Sequence, residues 1–170
     1  MYMADVFDYV CDTVDALTID GQVVQLRGAT LDDRPALHDI INRCSDRSVF
    51  LRFFSINRDF ALRYVDELLD RQDSRGGTHV AVLDREVVGF ATWLPVTGSR
   101  AEIAVLVDDD RQHQGIGTLL LENLASRART EGFCEFEGVF KIYLVIKDFI
   151  GHKKLLLLIL DCSTPSLSLL

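Results

Sequence analysis

One stretch constrains the fold more than any other: Ala101 to Glu131, AEIAVLVDDDRQHQGIGTLLLENLASRARTE. The apolar run Ile103 to Val107 predicts a strand and the aspartates at 108, 109 and 110 predict a turn. Behind a glycine-containing loop, Leu119, Leu120, Leu124 and Ala128 recur at helical spacing. A strand that passes through Gly115 and Gly117 into a helix start makes an anion site. The N–H groups of the first helical turn have no intrahelical partner, the helix dipole is positive there, and residues without side chains let a phosphate reach the backbone.

The spacing excludes two common phosphate loops. No G-x-x-x-x-G-K-[ST] is present, and G-x-G-x-x-G fails because position 120 is leucine. What stands here is Gln112-His113-Gln114-Gly115-Ile116-Gly117, a Q-x-x-G-x-G between an apolar strand and GTLLLENLASRARTEGF. In that setting it resembles the pyrophosphate-binding loop of the GNAT superfamily of N-acetyltransferases. The resemblance implies acetyl-CoA as co-substrate. Its pyrophosphate is expected on Gln112, His113, Gln114, Gly115, Ile116, Gly117 and Thr118, and its pantetheine arm along Leu106 and Val107. It also implies an α+β fold, a central and mostly antiparallel sheet flanked by helices.

At 170 residues the chain is one domain, large enough to bury about two-thirds of its unfolded surface. The 18 basic residues face 26 acidic ones. That balance argues against a nucleic-acid or anionic-membrane surface and suits a basic acceptor, a protein lysine or a small amine. Cys11, Cys44, Cys134 and Cys162 have neither C-x-x-C nor paired spacing, so neither a zinc site nor a disulfide framework is expected and the setting reads as cytoplasmic.

Along the chain, residues 1–20 read as an acidic extension with no secretory signal, either an amphipathic helix, for which Val6, Val10, Val14 and Leu17 are spaced, or a frayed acidic arm. Val24 and Leu26 alternate with Gln25 and Arg27 as in a strand. Thr30-x-x-Asp33 starts a helix in which Pro35 sits in the first turn and Leu37, Ile40 and Ile41 face inward. In SDRSVFLRFFSINRD, Phe50, Phe53 and Phe54 are expected to be buried, with the arginines in solvent. This wording also resembles the acetyltransferase domain of bacterial protein lysine acetyltransferases, where the segment lines the acceptor cleft. Such domains are often fused to an acyl-CoA synthetase-like or cyclic-nucleotide-binding domain, and neither is among these residues. A helix over Phe60–Leu69, a hairpin over Thr78–Leu94 turning at Asp84-Arg85-Glu86, a turn over Pro95–Ser99 and a strand over Arg100–Val107 complete the order.

Transfer from a thioester needs an oriented amine, a base for its proton and polarisation of the carbonyl. Glu102 is the one carboxylate within the strand before the loop. The lysine acetyltransferases that this chain resembles carry their general base on that strand, which implies this role for Glu102. His113 is expected to contribute its backbone rather than its ring. The three aspartates are expected to point outward and cap the turn, and no metal is expected because consecutive carboxylates on one extended segment do not converge. Tyr143 is a candidate proton donor to the leaving thiolate.

Residue usage changes near Gly132: all 14 arginines lie at or before Arg129 and all 4 lysines at or after Lys141. The core is therefore placed at residues 21–133, and residues 134–170 as an atypical or truncated tail, with Val139–Ile146 as one further strand. No asparagine follows Asn123, although the family resemblance implies one that contacts CoA. Two functions fit: an N-acyltransferase using a glutamate base, or a catalytically impaired CoA-binding or interaction module.

Overall fold

The turn at Asp20-Gly21 decides how the N-terminal residues join the fold. The computed structural model describes residues 13–71, 76–139 and 155–159. Gly21 adopts φ +83°, its N–H donates to the Thr18 carbonyl at 3.0 Å, and the Thr18 N–H donates to that of Gln22 at 2.9 Å. The chain thereby doubles back, and β1 (Val14–Leu17) pairs antiparallel with β2 (Val23–Gly28). The helical spacing through Val14 and Leu17 is thus overridden by a tight turn between β-branched runs. Val6 and Val10 lie outside the described residues.

The helix signal at Thr30 holds. The Asp33 carboxylate accepts from the Thr30 N–H at 2.8 Å and takes a two-pronged contact from Arg27 at 2.7 and 2.8 Å. It precedes α1 (Arg34–Arg43), whose Leu37, Ile40 and Ile41 are fully buried. Two capped helices follow: α2 (Asp46–Phe53), where Ser45 accepts from the Ser48 N–H, and α3 (Arg58–Asp70), where Asn57 accepts from that of Phe60. In α2 the expected burial is corrected. Val49, Arg52 and Phe53 share the inward stripe at i, i+3 and i+4, while Phe50 and Phe54 are exposed. Phe50 sits about 100° round from Val49, and Phe54 leaves the helix in a left-handed conformation, φ 55°.

β3 (Gly77–Leu83) and β4 (Glu86–Thr97) form the expected hairpin. Asp84 and Arg85 both take positive φ, 51° and 71°, the hand that matches strand twist. β4 runs through Pro95, expected as a turn, with an irregularity before Thr97; the reversal falls at Gly98, φ +58°. Then come β5 (Arg100–Val107), α4 (Ile116–Thr130), β6 (Glu135–Val139) and β7 (Leu155–Ile159). The strand after α4 therefore begins earlier than the expected Val139–Ile146. β7, from the tail, pairs antiparallel with it. The sheet runs β1 to β7 in sequence order, and only β5–β6 is parallel.

Both faces are covered. On one, α4 packs Leu120 and Leu124 against Leu26, Ala81, Trp93 and Ile103; on the other, α1–α3 pack Leu37, Ile40 and Val65 against Val80, Phe90 and Leu106. Neighbours Val80 and Ala81 thus enter opposite cores, so the central strands read as continuous apolar runs.

Burial opposes ionisation of Asp33, but Arg27 and the Thr30 N–H outweigh it and hold the carboxyl below its ordinary value. A depressed folded pKa contributes stability above the unfolded value, and this is lost as pH falls through the folded one. Asp33→Asn is expected to cost about 1–2 kcal/mol at pH 7. In urea titrations the difference from wild type narrows as pH falls from ~4 towards 2.

Candidate functional site

The site is built where β5 loses its second neighbour. Along one side it pairs with β4 from Arg100 to Val107; along the other, β6 pairs with it only over Arg100–Glu102 among the described residues. Beyond Glu102 that side of β5 has no strand partner among the described residues. A cleft of about 750 Å³ opens along this edge, walled by Val105, Leu106 and Val107, by Ser48, Leu51 and Arg52 of α2, and by the loop into α4. Unpaired strand edges attract extended, hydrogen-bonding chains.

At the exit from β5 the aspartates work inward, correcting the expectation that they face solvent. Asp108 is 9% exposed. It meets Arg43 Nε at 2.5 Å, and Arg43 also donates to the Val87 carbonyl at 2.9 Å, so α1 is tied to the strand ends. Asp108 also accepts from the Asp110 N–H, the capping role expected of the cluster. Asp109 accepts from the Ser45 N–H at 2.6 Å, from Gln112 Nε2 at 2.8 Å and from the Ser48 hydroxyl. Burial works against its ionisation, yet hydrogen bonds from Ser48, Ser45 and Gln112 prevail and hold its carboxyl below the ordinary value. Only Asp110 is exposed. No metal-binding group occurs among the described residues.

Gln112 is a staple. Besides Asp109 its amide reaches the Val107 carbonyl at 3.2 Å, and its own N–H donates to the Asp109 carbonyl at 3.4 Å, so that N–H closes the turn instead of facing the cleft. The next residues differ. His113 and Gly115 take left-handed φ of 65° and 85°, and the N–H groups of residues 113–118 have no hydrogen-bond partner among the described residues. Alternating backbone hand followed by a helix start turns successive N–H groups towards one concavity. The His113 ring is exposed. The loop is backed by the β1–β2 turn, whose Ile19 N–H donates to the Gln114 carbonyl at 2.9 Å. A Cβ at Gly115 would lie 3.2 Å from Ile19 Cγ1, whereas one at Gly117 would touch only Val107 Cγ2 at 3.6 Å. The chain therefore presents a donor cradle, an open strand edge and a cleft between them, which fits a phosphate-bearing thioester with a long amide arm. Arg47 and Arg111 also line the cleft.

At the other end the cleft adjoins a small pocket of about 30 Å³, lined by Glu102, Phe54, Ile103 and Ala104. Leu51, Arg52 and Val105 wall both spaces. Glu102 is exposed on β5 between Leu94 of β4 and Glu137 of β6, and Arg100 pairs with Glu135 at 3.2 Å and Glu137 at 3.8 Å. Glu102 thus lies on the strand that carries Leu106 and Val107, with Gln114 to Thr118 at the far end.

Three contributors were missed in the sequence. Ile19 lay in what read as an extension. Asp109 and Arg52 were assigned to solvent, although Arg52 follows Val49 at i+3, the spacing that carries it inward. Among the cysteines, Cys44 is buried and free. Burial, with Asp109 and Asp108 nearby, pushes its thiol up to about 11, which leaves it protonated and a poor nucleophile near neutrality. Cys134 is disulfide-bonded, a correction to the expected unpaired thiols. Tyr143 lies outside the described residues.

A splayed antiparallel sheet whose open strand runs into an anion-binding loop defines an acyl-CoA-dependent transferase of the α+β class. The family model described as "Acetyltransferase (GNAT) family" matches residues 36–140, so the chain belongs to that family and acetyl-CoA is its co-substrate. Acetyltransferase PA5475 of Pseudomonas aeruginosa is 28% identical over 125 residues, 71% of this chain and 67% of that protein. The GNAT domain of S. lividans PAT superposes with a TM-score of 0.68 at 24% identity, covering 74% of this chain and 77% of that one. The PaiA N-acetyltransferase from Thermoplasma acidophilum, solved in complex with coenzyme A, gives 0.59 at 15% identity, covering 72% and 82%. The protein is an N-acyltransferase acting on an amine. No helix among the described residues is long and apolar enough to cross a membrane.

Gly115→Ala is expected to lower stability by about 1–2 kcal/mol, from a left-handed backbone bearing a Cβ. Adding Ile19→Ala relieves the contact but not the strain, so thermal melts of the double variant should recover only part of the loss.

Proposed function

We propose that residues 21–133, closed by the strands that follow, transfer an acetyl group from acetyl-CoA to a protein lysine by direct attack, with Glu102 as general base. The observation that carries this reading is the placement of Glu102 on the same strand as the open edge, in a pocket joined to the end of the cleft away from the donor cradle. In this reading the pyrophosphate lies on the N–H groups of residues 113–118 and the pantetheine arm runs along Leu106 and Val107. Gln112 acts through its side chain by fixing the turn. The thioester then lies near Val105, between the cradle and the carboxylate. Attack forms the amine nitrogen–acyl carbon bond and breaks the carbon–sulfur bond. The amine proton passes to Glu102, and the electron pair leaves on sulfur.

A lysine suits both the net charge of −8 and the exposed Phe54 at the pocket rim, along which an aliphatic stem can lie. Of the two functions that fit the sequence, the family match favours the enzyme over the binding module. A cytoplasmic setting belongs to this reading, and the disulfide at Cys134 is the observation that pulls against it.

Gly117→Asp tests the phosphate placement. The position is the second of α4 and has room, and an acid in a first helical turn favours the fold. The variant should melt no lower than wild type while binding CoA at least ~10-fold more weakly, since the carboxylate faces the phosphates. Unchanged affinity by calorimetry would refute the placement. Glu102→Gln keeps shape but cannot take a proton, so turnover in a thiol-release assay with lysine-bearing acceptors should fall ~10²-fold or more while CoA binding persists. Part of the loss should return at high pH, where free amine no longer needs the base. Wild-type turnover in that variant would remove Glu102 from the mechanism.

A further inference from the structure

Arg52 is the one charged side chain of α2 that the fold takes inside, at 9% exposure. Its Nη2 donates to Thr92 Oγ1 at 2.8 Å. Its guanidinium carbon stands over Phe53 at 4.8 Å, Tyr64 at 5.6 Å and Phe90 at 5.9 Å. Nε is buried with no hydrogen-bond partner among the described residues. Burial pulls its pKa down, opposed by Tyr64 and by the Glu102 carboxylate. Among the described residues it forms no ion pair. Aromatic faces offset part of the cost of burying a cation, but a buried charge without a counter-ion is retained where something else supplies one.

Its position says what that is. Leu51, Arg52 and Val105 are the residues shared by the long cleft and the small pocket beside Glu102. On the reading above, on which this inference rests, an acyl thioester lying along β5 brings its acyl group to that shared wall. An acetyl methyl there would offer the guanidinium no acceptor beyond the Thr92 hydroxyl, Tyr64 and the field of Glu102. A carboxylate would neutralise it and accept from the planar fork.

We propose that this chain accepts, beyond acetyl-CoA, short acyl groups that end in a carboxylate, of the malonyl and succinyl class, and that Arg52 receives that carboxylate. The bonds made and broken are those of acetyl transfer; the second carboxylate takes no part in the chemistry and serves recognition.

The test compares succinyl-CoA with acetyl-CoA on the full chain, by equilibrium calorimetry and by thiol release with one acceptor. Wild type is expected to bind and use succinyl-CoA at least as well as acetyl-CoA. Arg52→Gln should weaken succinyl-CoA binding by at least ~30-fold, the loss typical of removing one partner of a buried charge pair, and acetyl-CoA by less than ~3-fold. Arg52→Lys, which keeps the charge without the fork, should fall between. Wild type that binds succinyl-CoA ten or more times more weakly than acetyl-CoA overturns the proposal without needing any variant to fold. An equal loss for both thioesters in a folded Arg52→Gln overturns it too, because that marks a purely structural arginine. Turnover of acetyl-CoA alone would leave the lysine reading standing. Selective succinyl-CoA binding without turnover of either thioester would sustain the present inference and sink the catalytic one.

Discussion

Everything about this site follows from two strands that start together and separate. β5 and β6 are parallel neighbours for the span Arg100–Glu102 and not beyond it among the described residues. Backbone amides in a protein interior need partners, and a strand edge left open in a covered sheet is a standing demand for an extended polar chain. In the proposed mechanism this parting puts both ends of the reaction on one element. Leu106 and Val107 lie at the mouth and Glu102 at the fork. On that reading, distances between substrate parts are set by the rise of a single strand, about 3.3 Å per residue, rather than by the meeting of separate loops.

That strand would be of little use if the loop after it wandered. Asp108 and Asp109 prevent this from opposite directions, the first held by Arg43 from α1 and the second by Ser45 and Ser48 at the start of α2. Because Gln112 also binds Asp109, the turn, the helix beginning at Asp46 and the donor loop are one hydrogen-bonded unit. The N-terminal hairpin adds a further hold through Ile19 and Gln114. The N–H groups of residues 113–118 are therefore held in one arrangement, and on the proposed placement of the pyrophosphate less ordering is charged against binding.

The parts legible in the sequence were those governed by local chemistry. The strand, the Q-x-x-G-x-G loop and the helix behind it follow from periodicity and from what glycine permits, and the Thr30/Asp33 signal was fulfilled down to its carboxylate. What sequence could not show were choices made by partners far along the chain. The aspartates look like a solvated turn until Arg43 and Ser45, more than sixty residues earlier, are brought to them. Val14 and Leu17 look helical until the Gly21 reversal gives them β2 as a neighbour. Arg52 obeys helical spacing with Val49 and Phe53, but in so short a helix the habit of placing arginine outside outweighs a single i+3 relation. The strand after α4 was placed a few residues late because register there depends on pairing with Arg100–Glu102, which leaves no local mark.

A protein in this position must receive two substrates of opposite charge. The thioester carries phosphates, whereas an amine acceptor arrives as a cation. With a net charge of −8 the surface as a whole favours the acceptor. The cleft reverses that sign locally, since Arg47, Arg52 and Arg111 line it; the proposed placement sets Arg52 at the acyl end. Asp108 and Asp109 are held by Arg43 and by Ser45 and Ser48, so these two carboxylates stiffen the site, while Asp110 beside them stays in solvent. Glu102 keeps an exposed carboxylate at the fork, the end to which the proposed mechanism assigns the amine. In the proposed mechanism this separation of charge along one strand keeps the two substrates in order.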